Sequence, residues 1–293
     1  MPETILVIGG SGMLGEPVAR KLVSDGYAVR LLARDPDAMR RRFPRGFDVV
    51  KGDVEDPQSV RRALQGCTGV HVSLMGGPRP EDFDRIEHHG TATVATEAAR
   101  AGVARLTYLS GAPARPENSR DPGSKAKLDA EAAIRASGVP YTIFQATWMM
   151  EALPMFVRGR RAMVIGTQKH PVRWIAADDY ASMVSRAFAT PEAAYKSLFV
   201  VGPEAYSKPE ALARYCDTVA PGVKVTFLPV WLMSAVGLLS FDAQLKADVR
   251  RMAFYDEIGD AFGDPTEANA LLGTPETTLP QWCAARTAVA TAP

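Results

Sequence analysis

From Thr4 to Gln145 short β-branched runs alternate with stretches of helical periodicity, and this rhythm restricts the chain to βαβ units. Units of that kind place parallel strands in one sheet with helices over both faces. Strands are expected at residues 5–8, 29–32, 48–50, 69–72, 105–109 and 141–144. The fold class that follows is α/β, a Rossmann-type doubly wound parallel sheet with a smaller C-terminal substrate lobe. Local punctuation supports it. Gly26 can take the left-handed conformation that ends the first helix. Asp121, Pro122 and Gly138 supply a cap, a first-turn proline and a terminator for the helix before the sixth strand.

Beyond residue 145 the rhythm changes. Short strands are expected near 163–165 and 172–175, a helix starting at Asp178-Asp179-Tyr180, a strand at 197–201, a helix at 209–219, a strand at 223–228, and helical segments to about Ile258. Residues 1–147 are therefore expected to form the Rossmann-type domain. Residues 148–293 form a lid or substrate lobe that adds late strands to the same sheet. The last twenty residues, rich in Thr, Ala and Pro, read as a loosely packed tail. The most apolar stretch, residues 228–241, falls short of the ~20 residues of a spanning helix; it reads as a buried or lid helix in preference to a membrane-surface contact.

Bulk properties exclude several classes. With 34 basic and 33 acidic residues the net charge is +1, so no global field draws the chain to nucleic acid, and a small molecule is the expected partner. Cys67, Cys216 and Cys283 are isolated and odd in number, which argues for buried thiols and against disulfides or zinc. His71 and the His88–His89 pair show no metal-ligand spacing, and no metal is expected. The N-terminus runs straight into a strand without a secretory signal, which predicts a cytoplasmic location.

Chemistry enters at the turn after the first strand. Gly9, Gly12 and Gly15 form a GxxGxxG array, with Ser11, Met13 and Leu14 between them, in a strand–turn–helix context. Glycines there permit a tight turn and close backbone approach, and the helix N-terminus offers amides to a pyrophosphate. At the end of the second strand Ala33 stands where a ribose-binding carboxylate selects NAD, and Arg34 follows it, so NADP(H) is the expected cofactor and NAD the alternative. Asp53 is placed for the adenine amino group with Val54 beside the ring, and Leu74, Met75 and Gly76 form a small-residue loop along the cofactor's backbone.

Taken together, GlyGlySerGlyMetLeuGly, AlaArgAspPro, GlyAspValGluAsp and SerGlyValProTyrThrIlePhe resemble an atypical short-chain dehydrogenase/reductase of the NmrA-like group, over the chain to about residue 230. The resemblance implies an NAD(P)-binding fold with a substrate cleft, in a group that includes reductases, redox sensors and assembly factors. It also implies a catalytic serine, tyrosine and lysine. Ser110 and Lys127 stand at two of those places, Lys127 being preferred to Lys125 for its i, i+4 relation to Glu131. At the tyrosine's place is Gly123, which rules against ordinary alcohol–ketone chemistry. Gln145, Ala146 and Thr147 replace the group's usual arginine–proline step.

For substrate, Trp148, Met149, Met150, Met155 and Phe156 are candidates for an apolar wall suited to a flat ring such as a quinone, with His170 at the mouth. The expectation is an NADPH-dependent reductase of a hydrophobic, quinone-like or aromatic acceptor. Its rival is a non-catalytic NAD(P)-binding redox sensor or assembly factor.

Overall fold

The computed structural model describes residues 3–43, 45–259 and 263–290. In chain order the first part runs β1 (Thr4–Ile8), α1 (Gly15–Ser24), β2 (Ala28–Ala33), α2 (Pro36–Arg42), β3 (Phe47–Lys51), α3 (Pro57–Leu64), β4 (Gly69–Val72) and a short α4 (Pro80–Asp82). A π-helical segment, Phe83–Gly90, then leads into α5 (Thr91–Ala101), β5 (Arg105–Gly111), α6 (Pro122–Ala136) and β6 (Tyr141–Ala146). The later part holds β7 (Val157–Arg158), β8 (Arg161–Ile165), β9 (Val172–Arg173), α7 (Ala177–Ala189), β10 (Lys196–Val200), β11 (Ala205–Tyr206) and α8 (Lys208–Val219). It ends with β12 (Lys224–Leu228), α9 (Val230–Leu239), α10 (Ala243–Ile258), α11 (Thr266–Leu272) and α12 (Leu279–Ala290).

These elements gather into two compact units. One comprises Met1–Ala146, Tyr180–Val200 and Asp264–Thr274; the other comprises Thr147–Asp179, Val201–Gly263 and Pro275–Pro293.

The first unit holds a seven-stranded sheet in the order β10-β6-β5-β4-β1-β2-β3, its neighbouring pairs all parallel. The order reverses at β1, which lies between β2 and β4, and such a switch point opens a crevice at the strands' carboxyl ends. The central strands β1, β4 and β5 are buried on both faces, and on one of those faces Leu6, Ile8, Val70, Val72, Leu106, Tyr108 and Ile143 belong to one apolar cluster, while β3 at the edge is half-buried. The helices start where short acids stand. Asp35, Asp56 and Asp121 accept from the first-turn amides of α2, α3 and α6, each followed by a proline. Gly26 at φ +94° and Gly138 at φ +76° end α1 and α6 as expected. The late strand β10 pairs with β6, Lys196 opposite Thr142 through Val200 opposite Ala146.

In the second unit β8 pairs with β12 in parallel and with β7 antiparallel, while β9 and β11 form a small antiparallel pair. Trp174, Leu212, Leu279, Trp282 and Cys283 centre its core. Two expectations are corrected here. The C-terminal segment is not a loose tail: α12 drives Leu279, Trp282 and Cys283 into the core, and the Trp282 indole donates to Glu151 Oε1 at 2.7 Å. Nor is the apolar stretch buried, since Trp231, Leu238, Leu239 and Phe241 stand exposed, Leu239 at 85%. Apolar residues surround α9 on every side, so packing one side leaves the others uncovered. Among the described residues no helix is long and apolar enough to cross a membrane.

Candidate functional site

The turn after β1 is built to a tolerance only glycine meets. Gly9 takes φ +80°, and a Cβ there would lie 2.0 Å from the Ser73 carbonyl oxygen at the end of β4. A Cβ on Gly15 would lie 2.1 Å from the Gly9 carbonyl oxygen, and Gly12 donates its amide to that oxygen at 2.9 Å. The turn thus folds on itself at the point where the sheet's order reverses. Beyond it α1 begins at Leu14 with no side-chain cap, in contrast to α2, α3 and α6. The Glu16 amide donates back to the Gly12 carbonyl at 3.1 Å and Pro17 has no amide, so a pyrophosphate here would be met by the turn ahead of the helix and by the positive end of the helix dipole. Ser11 and Gly12 are exposed and Met13 and Leu14 half-buried around this turn.

Arg34 follows directly on β2, exposed and without an ion pair among the described residues. Ala33 beside it is buried. Asp53 is half-buried, with one oxygen accepting the Glu55 amide at 3.1 Å, and Val54 is buried in contact range of Gly90 and Leu74. In the loop after β4, Met75 is exposed while Leu74 and Gly76 are half-buried.

Ser110 and Lys127 sit in different surroundings from those the sequence suggested. Ser110 ends up buried, and its hydroxyl donates to Glu131 Oε1 at 2.6 Å, so its proton is committed within the fold. Glu131 also accepts from Gln145 Nε2 at 3.2 Å and from Arg135 at 2.7 Å. Despite their i, i+4 spacing Lys127 and Glu131 do not pair: Glu131 faces inward to β5 and β6, and Lys127 turns to Glu87, Nζ to Oε2 at 2.9 Å. Lys127 remains 23% exposed, Lys125 pairs with Asp129, and Nζ of Lys127 lies 5.7 Å from the Tyr108 ring. Tyr108 is no substitute for the missing tyrosine, because burial and the nearby Glu87 and Glu131 hold its phenol well above its ordinary pKa. At Gly123 a Cβ would lie 3.4 Å from the Phe83 ring, so an aromatic from the π-helical segment stands beside that position.

Known proteins can now be compared. The sequence profile of the NAD(P)H-binding family matches residues 9–191, more than half of the chain. The chain belongs to the NAD(P)H-binding family. The atypical short-chain dehydrogenase/reductase, NmrA-like resemblance is borne out with it. Among relatives of this NAD(P)H-binding protein is an NAD(P)H azoreductase of Xenophilus azovorans, 28% identical over 79% of this chain and 78% of the relative. Another is the photosystem II assembly factor Ycf39 of Trieres chinensis, 24% identical over 80% and 74%. An Escherichia coli NADPH-dependent quinone oxidoreductase, solved with NADPH, superposes with a TM-score of 0.75 at 21% identity, covering 96% of this chain and 99% of that one, and shares the fold.

The residues expected to touch substrate lie in the second unit and do not form one wall. Met149 and Met150 are buried, Met150 within the core cluster, and Met155 is exposed. Trp148 and Phe156 pack with ring centroids 6.0 Å apart beside Lys208, whose Nζ is 4.0 Å from the Trp148 centroid and 2.8 Å from Gln168 Oε1. Trp148, Gln168, Lys208 and His170 border a void of about 10 Å³, room for one water, which Phe156 does not line. Lys208, buried at 3%, carried no signal in the sequence. Among the described residues Asp84, His88 and His89 bring their ligand-type atoms within 4.8 Å of one another on an exposed stretch of the π-helical segment. That arrangement arises because Asp84 hydrogen-bonds His88 at 2.8 Å across one helical turn.

Proposed function

We propose that this chain is an NADPH-dependent reductase of a hydrophobic aromatic acceptor, quinone-like or azo in type. The observation that carries the reading is the start of α1, without a side-chain cap, behind a turn that admits no side chain at Gly9 or Gly15, with Arg34, which has no ion pair among the described residues, at the end of the neighbouring strand. A guanidinium there suits the 2′-phosphate of NADP, and buried Ala33 offers no carboxylate to repel it. When bound, NADPH would supply the hydride. Lys127, partly exposed at the end of β5, holds the proton that a reduced acceptor oxygen or nitrogen needs, and a quinone can equally take it from water. Neither route needs the tyrosine that Gly123 lacks. Ser110 acts through Glu131 rather than on the acceptor. Trp148, Phe156 and His170 stay the candidates for acceptor contact, and a cytoplasmic setting belongs to the same proposal. The azoreductase relative and the quinone oxidoreductase neighbour support this choice of acceptors.

The test is NADPH oxidation followed at 340 nm with quinones and azo dyes, using wild type, Lys127→Ala and Arg34→Ala. Turnover is expected that falls at least tenfold in Lys127→Ala, with Arg34→Ala raising KM for NADPH but not for NADH. No consumption by a protein that binds NADPH would overturn the proposal and favour the second reading. That reading, a cofactor-binding accessory protein without turnover, is supported by Gly123 and by the assembly-factor relative.

A further inference from the structure

We infer that Glu87 is the positioning residue for Lys127: its buried carboxylate holds the Lys127 ammonium on one oxygen and the Gly76 amide on the other. It thereby ties α6 to the loop that follows β4. This deepens the reductase reading and rests on it.

Three separate elements meet at this carboxylate. Oε1 accepts from the Gly76 amide at 2.6 Å, and Oε2 lies 2.9 Å from Lys127 Nζ. Glu87 itself is 2% exposed. A carboxylate this deep is costly to keep unless its charge is paired; here the Lys127 ammonium pairs it at Oε2, outside hydrogen-bond geometry, and the Gly76 amide satisfies Oε1, both groups lying at the proposed cofactor site. The segment that delivers it is the π-helical Phe83–Gly90, a form that recurs at functional sites. Phe83 and Glu87, four apart, face the same way. Phe83 fills the space next to Gly76, where a Cβ would lie 2.7 Å from its Cα, and stands beside Gly123. Glu87 reaches Lys127. The place vacated by the usual tyrosine is thus bordered by one residue of this segment, while the lysine that survives is steered by another. Besides Glu87, Lys127 Nζ has a 3.4 Å contact to the Leu109 carbonyl and lies 5.7 Å from the Tyr108 ring. Without Glu87 the ammonium would swing on a four-carbon stem, and the Gly76 amide would lose its acceptor.

The test is a double-mutant cycle on NADPH binding, measured by nucleotide fluorescence in the full chain, for wild type, Glu87→Gln, Lys127→Ala and the double variant. Thermal melts show that each is folded, and Glu87→Asp stands in if Glu87→Gln is not. Each single substitution is expected to raise Kd for NADPH about fivefold to tenfold, with the double variant no weaker than Lys127→Ala alone, since one residue acts through the other. Amide exchange at Gly76 in the cofactor-free protein should quicken at least tenfold in Glu87→Ala. Where an acceptor is reduced, kcat in Glu87→Gln should fall while KM for the acceptor stays within twofold. A Kd in Glu87→Gln within twofold of wild type, or effects that multiply in the double variant, would overturn the inference and leave the reductase reading standing. Failure of the wild-type protein to bind NADPH would overturn both.

Discussion

Gly9 answers to two constraints at once, a positive φ and a carbonyl oxygen 2.0 Å from where a side chain would begin. Gly9→Ala should therefore lower the urea midpoint by the equivalent of about 3 kcal/mol, from backbone strain plus the clash, and abolish NADPH binding. A well-folded variant with wild-type affinity would show that the turn is not the cradle. His71 makes a different demand. Wholly buried, with Nδ1 2.9 Å from Thr107 Oγ1, it has its pKa pushed down by burial from 6.5 to about 3. The unfolded chain takes up that proton as pH falls below 6.5 and the folded chain does not, so the stabilisation is complete above 6.5 and is lost between 6.5 and about 3. Between pH 7 and pH 5 the wild type should lose ~2 kcal/mol that a His71→Leu variant does not lose, at ~1.4 kcal/mol per pH unit; equal slopes in urea titrations would refute it. Single residues were legible where their meaning is local. Gly9, Arg34 and Asp121 announce themselves through a turn, a strand end and a cap. Glu87 and Glu131 did not, because their partners arrive from distant parts of the chain, and the short-range spacing of Lys127 to Glu131 pointed the wrong way.

Elements with sharp chemical punctuation were read correctly: α6 lies between Asp121 and Gly138, and the strands of the central sheet fall where β-branched runs stand. The misread elements lacked such marks. The sequence around α12 is weakly amphipathic and rich in alanine and threonine, yet Trp282 anchors it, donating to Glu151 with the Arg286 guanidinium 3.4 Å over its ring. Burial raises the Glu151 carboxyl above the usual range, while the hydrogen bond from Trp282 and the charge of Arg286 draw it back. In α9 the opposite holds, for strongly apolar side chains face outward. Burial and hydrophobicity thus part company in these two helices, and mutation should expose it. Trp282→Ala is expected to cost about 3–5 kcal/mol, whereas Leu238→Ser and Leu239→Ser should each stay within ~0.5 kcal/mol. Differential scanning calorimetry on the three variants would decide, and a large loss from either serine would mean that α9 is covered in solution.

Across the whole molecule the chain leaves the first unit and returns to complete it. The sheet's seventh strand, β10, and the α7 residues Met183, Val184 and Ala187 come from after residue 179, and the Tyr180 ring meets Phe144 at 5.5 Å within that unit. A fragment of residues 1–146 should lack them all. It would leave the hydrogen-bonding edge of β6 unpaired and the apolar surface around Ile143 and Phe144 uncovered. Gel filtration of that fragment should find aggregates, while a stable monomer would show that β10 is dispensable. The sequence rhythm disclosed the doubly wound class and the return of late strands to the sheet but not the pairing of β10 with β6, because a strand's neighbour in the sheet is set by the path of the chain and not by the strand's own residues.

Synthesis on the ribosome follows the same path. After Ala146 emerges, β6 must wait for Lys196, an interval of roughly 3–10 s at about 5–20 residues per second. During that wait the growing chain presents an open strand to its surroundings, so its yield in a cell should depend on nascent-chain chaperones and on the pace of translation through the codons between those two residues.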